Sequence, residues 1–395
     1  MLRLYEHTIA FLTALFLTTG LWGQGEPSGV SKWNVTLQGG AGYVPRTFTW
    51  RDDLMSTYVY PTGGGRVGYQ TTETDSPYAA VYGFPVFGIG LGWEGVSTLR
   101  YEGNSRLGNL VELYGFVERN LLRYKRFSLD LDFDLGVAYN GQVYDPESNP
   151  KNLNFASHAV IYVGGGLTAA LAVTERLEAG VAARFSHYSA GRLAYPNGGL
   201  NNPSAVLSLR YRPLAAPRRD RSRPLPENPS RFFYELYAGG GVHRCAMEWM
   251  ATGSTTPWPI WSFGGNVNYR YRPHLSTGLS VDMNYASPAF IDCLEKSERA
   301  FCGDADVDAY GPYKPFSGGV GVIQHLHYGN FSAFAVVGAY LYRRYGIREQ
   351  RGKLYQRVGL KYVVPGSTGL FVALDCKAHR FSRAAMMEIT FGIRR

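Results

Sequence analysis

Residues 127–140 read Phe127-Ser-Leu-Asp-Leu-Asp-Phe-Asp-Leu-Gly-Val-Ala-Tyr-Asn140. Taken as a β-strand, alternate residues fall on opposite faces. Phe127, Leu129, Leu131, Phe133, Leu135, Val137 and Tyr139 make one face, and Ser128, Asp130, Asp132, Asp134, Gly136 and Asn140 the other. A greasy side opposed to three aspartates fits lipid outside and a polar lumen inside. Sandwich strands also alternate, but they usually run about 5–6 residues. These run nearer a dozen, which favours a membrane barrel.

The pattern recurs outward in both directions. Trp33, Val35, Leu37, Gly39, Ala41 and Tyr43 alternate with Asn34, Thr36, Gln38 and Gly40. Strands are predicted near 33–44, 64–73, 81–93, 107–119, 125–140, 157–172, 176–189 and 204–212, and again near 231–243, 259–270, 275–286, 317–328, 331–343, 353–364, 367–378 and 384–394. Between the two sets, residues 213–230 (PLAAPRRDRSRPLPENPS) carry five prolines and four arginines. Such a segment is a stiff, basic linker that cannot join a ladder. The expected fold is therefore all-β: one antiparallel transmembrane barrel of about 14–16 strands, or alternatively two tandem 8-stranded barrels, with a slight preference for the first. The divisions are a signal peptide over 1–23, a first barrel half over 24–213, the linker over 214–230 (periplasmic if the chain starts in the periplasm) and a second half over 231–395.

Composition agrees. Forty-eight glycines, 29 tyrosines and 21 phenylalanines exceed soluble averages. Arg3, the apolar run Ile9 to Leu21 and Gly20 or Gly23 resemble a secretory signal. No later apolar run is long enough for a transmembrane helix. The net charge is +9, but the arginines are scattered through turns and alternate positions. That argues against nucleic acid and for anionic lipid head groups. Of the four cysteines, Cys293 and Cys302 bracket a polar loop and are the best disulfide candidate in an exported chain. His325 and His327 share a strand face without a third ligand nearby, so they are read as a barrel-end pair, with no metal or cofactor. Asp130, Asp132 and Asp134 are expected to pair with luminal arginines such as Arg184 and Arg210.

One strand breaks its own pattern. Leu177, Ala179, Val181, Ala183 and Phe185 form an apolar face that ends in His187 and Ser189. Two residues along a strand is about 6.5–7 Å, close enough for imidazole and hydroxyl to lean together. The chain returns through Pro196-Asn197-Gly198-Gly199-Leu200-Asn201, and Asn201 shares the parity of the apolar residues of strand eight. A side-chain amide oxygen there can orient a neutral imidazole.

The stretch Phe185 to Asn201 resembles the active-site segment of the PagL-type lipid A 3-O-deacylases, whose pattern is His-x-Ser-Asn on the seventh strand followed by Pro-Asn-x-Gly-x-Glu. Looser similarity runs over about 77–213, and the second half resembles longer Bacteroidetes-type relatives in Leu374-Asp-Cys-Lys-Ala-His379. The resemblance implies an outer-membrane serine esterase acting on lipid A or lipopolysaccharide, with His187 as general base, Ser189 as nucleophile and Asn201 in the acid position. Ala190 stands where the family has asparagine, and Asn201 where it has glutamate. Backbone N–H groups near Ala190 and Gly191, with Asn197 in the loop, would then support the oxyanion. The rival expectation is a non-enzymatic barrel, a channel or structural protein, that kept the shape without the activity.

Overall fold

The computed structural model describes residues 31–45, 59–72, 74–99, 105–215, 231–346, 352–379 and 383–395. The expected signal peptide, and the linker from 216 onward, lie outside the described residues. Among the described residues sixteen strands form two closed barrels, not one. The first comprises β1 (Trp33–Tyr43), β2 (Val59–Gln70), β3 (Val86–Glu94), β4 (Leu110–Tyr124), β5 (Phe127–Asn140), β6 (Ala159–Ala172), β7 (Leu177–Ser189) and β8 (Leu200–Tyr211). The second comprises β9 (Phe232–His243), β10 (Trp258–Arg272), β11 (Leu275–Ala286), β12 (Phe316–Tyr328), β13 (Phe331–Arg343), β14 (Leu354–Val363), β15 (Leu370–His379) and β16 (Arg383–Arg394). The tandem alternative is therefore the fold. Its cause is the eighth strand: β8 pairs back onto β1, from Val35↔Tyr211 to Gly42↔Ser204. β16 closes the second barrel on β9 in the same way.

An eight-stranded barrel has an interior just wide enough to be filled by side chains. Here the filling is polar and paired. In the first barrel Arg66 Nη2 donates to Asp134 Oδ2 at 2.8 Å and Arg184 Nη1 to Asp132 Oδ2 at 2.9 Å. Arg66 also reaches Asp132, and Arg184 reaches Asp134, so the two arginines and two aspartates close a ring. Arg210 pairs with Glu118 and Glu178 rather than with an aspartate. In the second barrel Arg357 grips Asp375 through two bonds of 3.0 Å and also meets Asp282. Each lumen is crossed by such a cluster, which leaves little for a pore reading to use.

Large rings complete the filling where the facing strand lacks a side chain. A Cβ at Gly90 would overlap the Tyr114 ring, and one at Gly338 the Tyr355 ring. The opposite faces point out: Leu131, Phe133 and Val137 are about half exposed on the outer wall, the apolar band of a membrane barrel. No helix among the described residues is long and apolar enough to cross a membrane.

Short turns at 125–126, 173–176, 273–274 and 329–330 mark one end of the barrels, and long loops at 141–158, 190–199 and 287–315 the other. By the usual asymmetry the long-loop end is extracellular. Two expectations at these ends are corrected. Strand three starts at Val86 because Tyr78–Val81 form a short helix, α1, ahead of Gly83 and Phe84, both with positive φ. The polar segment between Cys293 and Cys302 is not a loop closed by a disulfide. It lies within helix α3 (Pro288–Cys302), which follows α2 (Ala246–Thr252) and precedes α4 (Asp304–Tyr310). Ser287 caps α3 by accepting the Phe290 N–H at 3.2 Å, and Pro288 opens it. Nine helical positions separate the two sulfurs by about 13 Å along the axis, beyond disulfide reach. Both cysteines are free.

Candidate active site

The site is assembled by the register of three strands at the long-loop end. β7 pairs with β6 so that Val163 faces His187 and Ile161 faces Ser189. On its other side it pairs with β8, which places His187 directly opposite Asn201. Sequence reading set Asn201 in the returning loop, but β8 begins at Leu200, so Asn201 is a strand residue fixed by the ladder. Glu178, Ala182, Arg184, Ser186 and Tyr188 of β7 are buried in the lumen. Leu177, Ala179, Val181, Ala183, Phe185, His187 and Ser189 point the other way, with Phe185 46% exposed just below the pair. Imidazole and hydroxyl thus stand on the lipid-facing wall at its outer rim.

His187 Nδ1 and Asn201 Oδ1 are 2.7 Å apart. An amide oxygen only accepts, so Nδ1 carries the proton. That leaves the Nε2 lone pair free to take a proton from a hydroxyl, the tautomer general-base chemistry needs. Ser189 Oγ accepts the Gly191 N–H at 2.9 Å. No hydrogen bond joins Nε2 to Oγ among the described residues; the two side chains stand on one strand face beneath the same loop residue. A Cβ on Gly199 would lie 3.7 Å from His187 Cε1 and 3.7 Å from Ser189 Cβ. Gly199, at φ +65°, roofs the pair. A larger residue there is disfavoured twice, by the left-handed backbone and by the carbonyl of Tyr188, 2.8 Å from the added carbon.

The loop over 190–199 is stitched into place. Asn197 Oδ1 accepts the Ala190 N–H at 2.8 Å, Leu193 N–H bonds Ala190 O at 2.8 Å, and Gly198 and Gly199 donate to Leu153 and Asn154 at 2.9 and 3.1 Å. One expectation changes here. The Ala190 N–H is already engaged by Asn197, so of the two backbone donors only the Gly191 N–H points at the serine.

Sequence reading missed the support beneath the pair. Tyr188, between the two site residues, is fully buried. Its hydroxyl donates to Glu112 Oε1 at 2.8 Å and its ring stacks on Tyr162, centroids 5.3 Å apart. The signal for it is an aromatic at the luminal parity between His187 and Ser189. Nearby, Arg106, Gln142, Asp145, Ser148, Asn149 and His158 line a rim cavity of about 370 Å³. The backbone N–H and hydroxyl of Ser148 hold the Asp145 carboxyl below its ordinary range, so it stays ionised.

The other singled-out residues lie elsewhere. His325 and His327 are buried in the second lumen near the short-turn end, and both ring nitrogens of His327 are taken, by Ser276 at 2.8 Å and Ser332 at 2.7 Å. No cluster of three or more metal-ligating side chains occurs among the described residues.

Against known proteins, residues 63–210 match the family model described as lipid A 3-O-deacylase (PagL), and residues 232–395 the model described as acyloxyacyl hydrolase, C-terminal domain. The two matches fall one on each barrel. Among solved structures the chain is similar to Neisserial surface protein A, at 9% identity over 47% of this chain and 99% of that one, with a TM-score of 0.30. It is also similar to the outer membrane enzyme PagL, at 16% identity over 44% of this chain and 97% of that one, with a TM-score of 0.29. None of the curated proteins matches.

Proposed function

We propose, from the premise that this chain belongs to the lipid A 3-O-deacylase family of the bacterial outer membrane, that it releases the 3-O-linked acyl chain of lipid A with Ser189 as nucleophile and His187 as base. An acyl chain lies along the outer wall past Val181, Leu207 and Phe185, all lipid-facing. Its ester then reaches the rim. Ser189 Oγ attacks the ester carbonyl while its proton passes to His187 Nε2. The tetrahedral intermediate collapses, the bond between the acyl carbon and the sugar oxygen breaks, and His187 returns the proton to the departing sugar oxygen. Water then attacks the acyl-enzyme, giving up its proton to Nε2, and the carboxylic acid leaves as Ser189 is regenerated.

Asn201 holds the imidazole ring and its tautomer without a carboxylate's charge, so it stabilises the imidazolium less than glutamate would. The Gly191 N–H, which holds Oγ at rest, is the donor for the developing oxyanion. The polar cavity around Arg106 takes the hydrophilic part of the substrate.

The observation that carries this reading is the 2.7 Å bond from His187 to Asn201 on the same lipid-facing rim as Ser189. The test is mass spectrometry of lipid A incubated with the purified full chain. The expected result is loss of one hydroxyacyl chain, absent with Ser189→Ala. An unchanged lipid A spectrum with the folded wild-type protein overturns the reading.

A further inference from the structure

The active-site loop is not held by its own barrel alone. Arg192 sits at its apex, one residue past the Gly191 N–H that contacts Ser189, and is only 7% exposed. Its backbone is left-handed, φ +69°, a conformation costly for a residue with a side chain unless its surroundings enforce it. The surroundings that enforce it belong to the second barrel. Arg192 Nε donates to the carbonyl of Ala384 at 2.6 Å, and Nη1 lies 3.1 Å from His243 Nε2. Ala384 stands beside a bulge: Lys377 pairs with Met386 but Ala378 with Ala384, which leaves Ala385 extra on β16. Such bulges turn backbone groups out of the ladder. His243 ends β9, is fully buried and is held edge-on against Phe290 of α3 at 4.8 Å. The acceptor is therefore itself rigid. Next to it, a Cβ on Gly191 would meet Met387 of β16 at 3.2 Å, so the loop backbone packs directly on the second barrel.

The barrels also touch at the opposite end, where the Tyr82 hydroxyl donates to His327 O at 2.9 Å and the Tyr328 ring packs on Phe87 at 5.2 Å. With contact at both ends, the second barrel is a fixed frame against which the loop can be set.

We infer that the second barrel serves the reaction as a positioning element. Arg192 is the positioning residue: by clamping the loop to β9 and β16 it keeps the Gly191 N–H aimed at Ser189 and the loop roofed over the pair. The inference rests on the reading of Ser189 as nucleophile, and it assigns a task to the second barrel.

The experiment uses the full chain with Arg192→Ala and Arg192→Lys. Acyl release from lipid A in detergent micelles gives kcat and KM, and hydrogen exchange is followed on peptides spanning 190–199. Retained heat-modifiable migration shows that the variants keep their barrels. With Arg192→Ala, kcat falls about 10- to 100-fold while KM stays within about twofold, the pattern of a misplaced catalytic group. Exchange at Ala190, Gly191 and Leu193 rises at least about tenfold as the clamp opens. Arg192→Lys recovers only part of both, because one ammonium cannot reproduce the planar fork spanning two acceptors. Unchanged exchange in the folded Arg192→Ala protein overturns the clamp whatever the activity. Loosened exchange with wild-type kcat overturns the positioning role. If Ser189→Ala proves as active as wild type, the serine reading fails separately, and the exchange result still decides whether the second barrel holds the loop.

Discussion

The seventh strands of the two barrels, β7 and β15, occupy the same place in the same topology and differ at their outer rims. The lipid-facing side of β7 ends in Phe185, His187 and Ser189, with Asn201 across the ladder. The lipid-facing side of β15 ends in Leu374, Cys376 and Ala378, opposite Ile389, Met387 and Ala384. None of these six side chains is an imidazole, a hydroxyl or an amide. Turned inward, the strands are alike: Arg184 of β7 is locked between Asp132 and Asp134, as Asp375 of β15 is locked on Arg357. Buried ion clusters therefore belong to closing an eight-stranded barrel and say nothing about chemistry. The rim is where the side chains of the two barrels diverge in chemical type.

Substitutions at matched positions sharpen this contrast. The largest effect is at the rim pair: Ser189→Ala or His187→Asn lowers the rate of acyl release at least about 10³-fold, whereas Cys376→Ala, its counterpart on β15, leaves the rate within about twofold. Released fatty acid measures all three. Equal losses at both rims would break the comparison.

Next comes the interior. Arg184→Leu strands Asp132 and Asp134 with Arg66 as their remaining cation, and breaking a buried pair costs about 3–5 kcal/mol. Arg357→Leu does the same in the second barrel. Urea unfolding in detergent should show comparable losses for the two, since the clusters are equivalent in kind.

At Asn201 the change gains activity. Asn201→Glu supplies the charge the amide lacks, and turnover should rise about tenfold or more. A carboxylate beside the ring favours imidazolium, so the acid limb of the pH–rate profile moves to higher pH. A fall in rate, or a limb that moves to lower pH, would remove Asn201 from its assigned place.

The smallest effect is at Gly199. Ala there must adopt φ +65° against the Tyr188 carbonyl, a strain of about 1–3 kcal/mol, and the rate should drop several-fold through a displaced roof.

Much of this was legible beforehand because it is local. Alternation over 127–140 identified β5 and its two faces, and parity alone put His187, Ser189 and Asn201 on the lipid side. What the chain hid is non-local. Nothing near β8 states that it turns back to β1, since pairing partners lie far apart in sequence. Residues 294–301 read as a polar loop between two cysteines although Ser287 and Pro288 form a helix start. Tyr188 was overlooked because its partners Glu112 and Tyr162 come from other strands. Arg192 carried no signal at all, for its acceptors belong to the other barrel.

Reaction of the folded full chain with a long-chain fluorophosphonate, followed by peptide mass spectrometry, tests the central claim most directly. The account predicts a single adduct on Ser189, lost in His187→Asn. An adduct on another residue, or labelling of Ser189 that persists without His187, would contradict it.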